Sequence, residues 1–200
     1  MQARPHLVIF ARFPQAGVGK RRLAGGVGET ASIRFQRVRL RVLVARLAQD
    51  PRWRTWLAVT PDRSGPWPTG VKVIAQGRGD LGLRMSRVFK TLPRGRAIIV
   101  GADIPGITAD EIARVFHRLK GNDAVFGPAD DGGYWLVGLK RIPRLLLPFD
   151  NVRWSTASAL EDTERNMAVG TIAHVTCLSD VDDADALRRH PNWCRVIPIR

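Results

Sequence analysis

A short basic stretch after the first apolar run has the residue types that bind anions. Its glycines and basic residues include Gly17, Gly19, Lys20 and Arg22. Glycines let backbone amides approach a ligand, and lysine and arginine side chains pair with phosphate oxygens. The stretch is not a Walker loop, because Pro14 and Arg21 stand where that motif requires a glycine and a magnesium-binding hydroxyl. The residue types alone favour a phosphate-binding loop and a basic surface turn equally.

A carboxylate ends one of the apolar runs. Asp103 closes the run RAIIVGAD, and Pro105 then stops the predicted strand. A divalent cation bound to a nucleotide needs only one or two protein carboxylates, because phosphate oxygens supply further ligands. We therefore favour a metal ligand at Asp103 over an aspartate that merely stabilises its own loop by local hydrogen bonds.

A second acidic stretch lies between two apolar runs. Asp130 and Asp131 are followed there by Gly132 and Gly133. Adjacent like charges repel, so they need a cation, hydrogen-bond donors or solvent. The paired glycines favour close approach of a bulky ligand, whereas a tight turn is the alternative interpretation.

A third acidic stretch, LSDVDDADAL, covers residues 178–187. Its four carboxylates are Asp180, Asp182, Asp183 and Asp185. A helix that starts at Asp182 or Asp183 would explain one of them, because acidic residues stabilise a helix N-terminus. The four histidines have no zinc-ligand spacing, and no nucleophilic triad is visible. A basic loop with separated carboxylates indicates metal-assisted transfer from a nucleotide instead.

Apolar β-branched runs alternate with longer helical patterns along the chain. Strands are predicted at 6–11, 55–60, 72–76, 96–103, 123–127, 134–139 and 171–176. Helices are predicted at about 30–49, 80–92, 108–119 and 182–190, the third with a capping box at Thr108 and Glu111. This alternation predicts an α/β protein, a three-layer α/β/α sandwich with a mainly parallel, mixed sheet, in a single domain over 1–200. Ligands of such sheets bind beyond the carboxyl ends of the strands.

The net charge of +14 is unusual for a chain of 200 residues. Its 27 arginines are spread along the chain, and the densest patch covers residues 34–46. There the basic residues Arg34, Arg37 and Arg41 share one helix face, and the apolar residues Val38, Val42 and Ala45 share another. We favour a solvated helix face over a nucleic-acid surface, because nothing nearby is suited to base contacts. Specific nucleic-acid binding is therefore not expected.

The remaining composition is that of a globular protein, with 44% hydrophobic and 25% charged residues. No apolar run approaches the roughly 20 residues of a membrane span, and the first apolar run is too short for a signal peptide. Cys177 and Cys194 have no metal-ligand spacing and fit reduced thiols. We expect a cytoplasmic protein.

Six segments, in this order, resemble the GT-A-type nucleotide-diphospho-sugar transferase superfamily. They are FARFPQAGVGKRRLA (10–24), GRGDLGLRM (77–85), GADIPGIT (101–108), FGPADDGGYWLVGL (126–139), FDNVRWST (149–156) and SDVDDADAL (179–187). More narrowly, the chain resembles a bacterial family usually labelled glycosyltransferase, which is related to the molybdenum-cofactor and 2-phospholactate guanylyltransferases. Two departures are Arg21, where the family commonly has threonine, and D-D-A-D-A-L in place of T-P-E-D-L.

The resemblance implies a role for each matching residue. Nucleotide-binding residues would be Gly17, Gly19, Lys20, Arg22, Gln76 and Asp80. Metal ligands for Mg²⁺ or Mn²⁺ would be Asp103 and Asp182. The donor and acceptor pocket would contain Asp130, Gly132, Gly133, Trp154, Ser155 and Thr156. Catalysis would depend on Lys20, Asp103 and Asp131.

The expected function is a divalent-metal-dependent transfer from a nucleotide-activated donor to a small-molecule acceptor, whose identity the residues leave open. The resemblance favours glycosyl transfer from a nucleoside-diphosphate sugar. Nucleotidyl transfer from a nucleoside triphosphate, with release of pyrophosphate, is the alternative. A non-catalytic nucleotide or nucleic-acid binder is a third, lower-ranked interpretation that depends on the net charge.

Overall fold

A computed structural model describes residues 4–15, 17, 20–62, 65–179, 181 and 183–188 of the chain. Its strands are β1 (His6–Arg12), β2 (Arg54–Thr60), β3 (Lys72–Ala75), β4 (Ala97–Gly101), β5 (Ala124–Pro128), β6 (Tyr134–Leu139) and β7 (Ile172–His174). Its helices are α1 (Arg21–Val27), α2 (Glu29–Ala48), α3 (Leu81–Thr91), α4 (Ala109–Arg118), α5 (Ala159–Arg165) and α6 (Ala184–Arg188). Among these described helices, none is long and apolar enough to cross a membrane.

The seven strands form one sheet in the order β3-β2-β1-β4-β6-β5-β7. β6 runs antiparallel to both of its neighbours, and the other pairs are parallel. β5 and β6 are joined by the turn that contains the D-D-G-G residues, which is why β6 reverses direction. The prediction of a mainly parallel, mixed sheet is therefore confirmed.

Helices cover both faces of the sheet. α2 and α4 pack on one face through buried residues such as Leu43, Leu47 and Ile112. α3 packs on the other through Val88 and Phe89. β1 and β4 are buried between these two layers, as their uninterrupted apolar sequences require. The predicted three-layer α/β/α architecture is confirmed.

Side-chain caps begin α3 and α4, of which the sequence predicted the one at Thr108. The Asp80 carboxylate accepts a hydrogen bond from the Leu83 amide at the start of α3, at 2.8 Å. Thr108 accepts one from the Glu111 amide at the start of α4, at 3.1 Å. In a full capping box the Glu111 carboxylate would also accept a hydrogen bond from the Thr108 amide. Here the Glu111 carboxylate binds the Arg114 guanidinium instead.

α2 is rotated from the orientation that the sequence pattern predicted. Val42 is 40% exposed and Ala45 is also exposed, so the predicted apolar face is wrong in part. The buried residues of α2 are Ser32, Phe35, Leu40, Leu43, Val44 and Leu47. Apolar residues occur all round this arginine-rich helix, so their spacing alone does not select the buried face.

Candidate functional site

A cavity of about 560 Å³ opens beyond the carboxyl ends of β1, β2 and β4. The order of strands reverses between β1 and β4, and this is where open α/β sheets form their binding crevice. The residues that line the cavity are Phe10, Ala11, Arg12, Pro14, Lys20, Phe35, Gln36, Arg39, Leu40, Thr60, Gln76, Leu81, Arg84, Ala102, Asp103 and Ser155. Of the predicted site residues, Lys20, Gln76, Asp103 and Ser155 are brought together here.

Lys20 joins three segments of the chain at one end of this cavity. Its side chain is only 9% exposed, and its Nζ lies 2.9 Å from Asp103 Oδ2. The same Nζ donates a hydrogen bond to the main-chain oxygen of Val181 at 2.6 Å. A buried ammonium needs such partners, because its transfer out of water is otherwise costly.

Gly17, three residues before Lys20, is bound by the first residue of α2. The amide of Gly17 donates to Glu29 Oε1 at 2.6 Å, and Gly17 has a φ of +71°, which favours glycine. Gly17 also borders a smaller pocket of about 40 Å³, which shares Lys20 with the large cavity. Gly19 lies outside the described residues.

Three further basic residues line the cavity, and sequence analysis did not single them out. They are Arg12, Arg39 and Arg84. Burial, with repulsion from Arg46 as a smaller cause, lowers the pKa of Arg39 to about 10, so its guanidinium stays charged at neutral pH. Among the described residues that line the cavity, Asp103 is the only acidic one. The cavity wall therefore favours an anionic ligand.

A sequence signal for Arg39 did exist. It stands four residues after Phe35 and four before Leu43, both buried, so it shares their side of α2. A charged residue at a core spacing of a helix is unusual unless it faces a partner or a cavity.

Gln76 is a buried polar group with a fixed orientation. Its side chain is 3% exposed, and Nε2 donates to the main-chain oxygens of Ala11 at 3.1 Å and Ala58 at 2.9 Å. Its own main-chain oxygen accepts a hydrogen bond from Arg87. Both amide protons are used by these carbonyls, so a ligand in the cavity can be bound only through Oε1.

The W-S-T segment contributes one residue to the cavity wall. Ser155 lines the cavity and has a φ of +62°. The Trp154 ring instead packs in the core near Tyr134 and Phe149. Thr156 Oγ1 donates to the main-chain oxygen of Arg153 at 2.7 Å. Trp154 and Thr156 therefore support this segment, while Ser155 is available to a ligand.

The D-D-G-G turn lies outside the cavity wall. Asp130 accepts hydrogen bonds from Ser179 and Cys177, which lower the pKa of its carboxyl in that order of effect, and the bond to Asp130 raises the pKa of the Cys177 thiol. Asp131 accepts one from the Gly133 amide at 2.9 Å. These contacts hold the turn and the segment after β7, so the predicted ligand contacts of Asp130 and Asp131 remain a prediction.

The other predicted residues are placed as follows. Arg22 is exposed on α1, and Asp80 caps α3, so neither belongs to the cavity wall. Asp182 lies outside the described residues, although its neighbour Val181 reaches Lys20.

No group of three or more metal-ligating side chains occurs among the residues that the structure describes. Asp103 still fits a nucleotide-bound cation, because its carboxylate is 43% exposed and phosphate oxygens would supply further ligands.

Solved structures of other proteins share this fold. A protein of Desulfovibrio desulfuricans G20, provisionally assigned as a nucleotide-diphospho-sugar transferase, has a TM-score of 0.82 at 23% identity over 98% of each chain. CMP:2-keto-3-deoxy-manno-octonic acid synthetase, in complex with CTP, has a TM-score of 0.56 at 14% identity, over 96% of this chain and 99% of the synthetase. Rv0371C of Mycobacterium tuberculosis H37Rv, in complex with manganese, has a TM-score of 0.50 at 15% identity, over 94% of this chain and 97% of Rv0371C.

One family model matches the sequence over residues 39–156, and no curated protein matches it. The family is described as an uncharacterized protein conserved in bacteria, DUF2064. The matched segment contains Arg39, Gln76, Asp103 and Ser155 of the cavity wall, and Lys20 precedes it. The match covers more than half of the chain, which therefore belongs to the DUF2064 family.

Proposed function

We propose that this protein is a transferase that uses a nucleotide-activated donor and binds the donor phosphates beside Lys20. The observation that carries the proposal is the buried ammonium of Lys20, held between Asp103 and the Val181 carbonyl in a cavity with three more basic residues. The cavity volume of about 560 Å³ lies within the usual range for small-ligand sites. The shared fold of a synthetase in complex with CTP supports a nucleotide ligand.

A divalent cation, Mg²⁺ or Mn²⁺, would be held by Asp103, with Asp182 as the second proposed ligand. It would offset the negative charge of the donor phosphates and of the departing group. The manganese complex of Rv0371C, which shares the fold, supports this assignment.

Different residues of the cavity bind different parts of the donor. Lys20 and the nearby arginines hold phosphate oxygens, for which guanidinium and ammonium groups are suited. Gln76 accepts a hydrogen bond from the nucleoside through Oε1, because its amide protons are committed to Ala11 and Ala58. Asp131 is retained as a catalytic candidate on the resemblance alone, since its described contacts lie in its own turn.

Two reaction classes fit such a site, and they break different bonds. In glycosyl transfer the bond between the sugar carbon and the diphosphate breaks, and a nucleoside diphosphate leaves. In nucleotidyl transfer an acceptor oxygen attacks the α-phosphorus, and pyrophosphate leaves. The resemblance to bacterial glycosyltransferases favours the first. The second is favoured by the excess of basic over acidic residues among the described residues of the cavity wall, four to one, since a nucleoside triphosphate carries more negative charge.

Thermal shift with nucleotides tests the proposed site. Nucleoside triphosphates, diphosphates and diphosphate sugars are each tested with and without Mn²⁺, on wild type, Lys20→Met and Asp103→Asn. A ligand at 100 times its dissociation constant stabilises by about 2.7 kcal/mol, which is a shift of several degrees. We expect a shift in wild type that Lys20→Met removes. The exposed Lys120→Met and Asp110→Asn are matched controls and should behave as wild type. A wild type that no nucleotide stabilises would overturn the proposal.

Product analysis then separates the two reaction classes. The ligand that stabilises best is incubated with candidate acceptors, and the released group is identified. Pyrophosphate assigns nucleotidyl transfer, and a nucleoside diphosphate assigns glycosyl transfer.

A further inference from the structure

The D-D-G-G turn and the W-S-T segment form one packed unit. Gly132 has a φ of +83°, and a Cβ built on it would lie 2.2 Å from the main-chain oxygen of Ala157. The main-chain oxygen of Gly132 also accepts a hydrogen bond from the Leu160 amide at 3.1 Å. The main chain at Ala157 therefore occupies the space beside Gly132, where the sequence had suggested that a bulky ligand would approach. Gly132 fixes where the segment before α5 lies.

A nearly buried carboxylate on α5 fixes the same segment from the other side. The Asp162 side chain is 6% exposed and binds the Arg153 guanidinium through both carboxylate oxygens, each at 2.8 Å. Asp162 Oδ2 also accepts a hydrogen bond from the backbone amide of Arg153 at 3.1 Å. Arg165 adds a third cationic contact at 3.2 Å. Asp162 therefore fixes both the backbone and the side chain of Arg153.

Ser155 follows two residues after this anchor and lies on the cavity wall. Its φ of +62° is uncommon for a residue with a Cβ, and such conformations persist only where the surrounding structure imposes them. Asp162 and Gly132 are the contacts on either side of it, at Arg153 and Ala157. Neither of these two residues lines the cavity itself.

We infer that Asp162 and Gly132 are positioning residues that hold Ser155 on the cavity wall, where its hydroxyl hydrogen-bonds the bound donor. The second half of this inference rests on the proposed function, and the first half does not. A hydroxyl both donates and accepts, so Ser155 suits a phosphate oxygen or a sugar hydroxyl of the donor. Asp162 acts through Arg153 and does not touch the ligand.

The reactivity of a thiol placed at position 155 tests both halves of this inference. Ser155→Cys is introduced together with Cys177→Ser and Cys194→Ser, and its rate of modification by iodoacetamide is measured. We expect Asp162→Asn, added to this protein, to raise the ligand-free rate several-fold, because the anchor of Arg153 is weakened. Gly132→Ala should do the same. Equal rates with and without these substitutions would overturn the positioning role.

Matched controls separate positioning from general loss of stability. Glu161→Gln removes the neighbouring carboxylate, which is exposed and pairs only with Arg165 among the described residues. Gly121→Ala adds a Cβ where no other atom lies within 4 Å. Both controls should leave the labelling rate unchanged. If Asp162→Asn does not fold, Arg153→Gln removes the other partner of the same ion pair, whose side chain is 60% exposed.

Protection by ligand tests the contact with the donor. The probes are inorganic pyrophosphate and the nucleoside triphosphates, diphosphates and diphosphate sugars of the thermal-shift test, each with Mn²⁺. A probe at ten times its dissociation constant should slow modification about tenfold if it covers position 155. Ser155→Ala should weaken binding of the same probe by roughly two- to tenfold, the value of one hydrogen bond. A probe that stabilises the protein without protecting position 155 would overturn the contact. If no probe stabilises the protein, the proposed function fails, while the ligand-free rates still decide the positioning role.

Discussion

The ammonium of Lys20 and the carboxylate of Asp103 lie 2.9 Å apart, across the crevice between the ends of β1 and β4. The proposed phosphate-binding group is therefore already paired with Asp103, the only carboxylate among the described residues of the cavity wall. An incoming phosphate would compete with Asp103 for Lys20, unless a cation first neutralised that carboxylate. The proposed effect of metal on phosphate binding would then depend on this one residue pair.

Asp103→Asn should abolish the effect of metal on phosphate binding. Without metal, the variant should bind pyrophosphate about two- to tenfold more tightly than wild type, because a partly exposed like charge is removed. With Mn²⁺, the wild type should gain affinity and the variant should not. Isothermal titration with and without Mn²⁺ measures both effects. An equal metal-dependent gain in both proteins would contradict the ligand assignment.

Gln76→Leu should destabilise the protein as well as weaken nucleotide binding. The substitution leaves the carbonyls of Ala11 and Ala58 without the donor that now satisfies them, at a cost of about 2 kcal/mol in the free energy of unfolding. Urea unfolding measures this cost. Gln36→Leu is the matched control for stability, because its only described bond is to Ser32 at 3.3 Å. A stability of Gln76→Leu equal to that of wild type would show that these bonds do not hold the strand ends.

Adjacent residues of α2 should respond very differently to truncation. Leu43 is 3% exposed and Val42 is 40% exposed. Leu43→Ala should cost about 2–5 kcal/mol in the free energy of unfolding, because it leaves a cavity against the sheet. Val42→Ala should lie within about 0.5 kcal/mol of wild type. The midpoints of denaturant unfolding measure both losses of stability. A larger loss for Val42→Ala than for Leu43→Ala would support the buried face of α2 that the sequence pattern predicted.

Stability should fall in acid partly through Asp162. Its hydrogen bonds with Arg153, then its Coulombic attraction to Arg153 and Arg165, hold the pKa of this carboxyl well below its usual range. A pKa that is lower in the folded than in the unfolded state stabilises the protein fully above about pH 5, and this stabilisation is lost as pH falls below about 4. The stability difference between wild type and Asp162→Asn should therefore be constant from pH 8 to 5 and shrink towards pH 3. Urea unfolding at pH 7, 5 and 3 checks this, with Glu161→Gln as control. If the stability difference between wild type and Asp162→Asn did not change with pH, the contribution of Asp162 would come from packing and not from its charge.

Binding to nucleic acid should be weak and unspecific. Arg34, Arg37 and Arg41 are exposed on α2, but an arginine face alone supplies only salt-dependent attraction to phosphates. We expect retention on heparin to be lost near physiological salt, and no preference among DNA and RNA sequences of equal length. Sequence-selective retention at that salt would favour the nucleic-acid interpretation.

The strands were predictable because each is a short apolar run between polar turns. All seven lie within one or two residues of the predicted ranges, as β1 at His6–Arg12 illustrates. α1 and α5 were missed. Gly25 and Gly26 weaken the helical signal of α1, and Ser158 makes no side-chain cap for α5. The antiparallel direction of β6 follows from the D-D-G-G turn after β5, which the sequence offered only as the alternative to a ligand-binding role.

The cavity was predictable where its residues follow strands and less so where they come from helices. Gln76 and Asp103 follow the ends of β3 and β4, and Lys20 lies in the connection from β1 to α1, all of which the topology of α/β sheets brings to one edge. Arg39 and Arg84 reach the cavity from helices, so their contribution depends on how each helix is rotated against the sheet. Gly132 was correctly singled out as a site of close approach, yet local spacing could not reveal that Ala157 occupies that space.

The Val181 carbonyl that binds Lys20 comes from a residue that follows all seven strands in the chain. Val181 and Leu187 are buried against Leu23 and Phe35, so this segment closes over the start of α1 and α2. The described strands and the lysine site thus depend on separate segments of the chain. A proteolytic product that ends after β7 would retain every described strand of the sheet and lose this partner of Lys20.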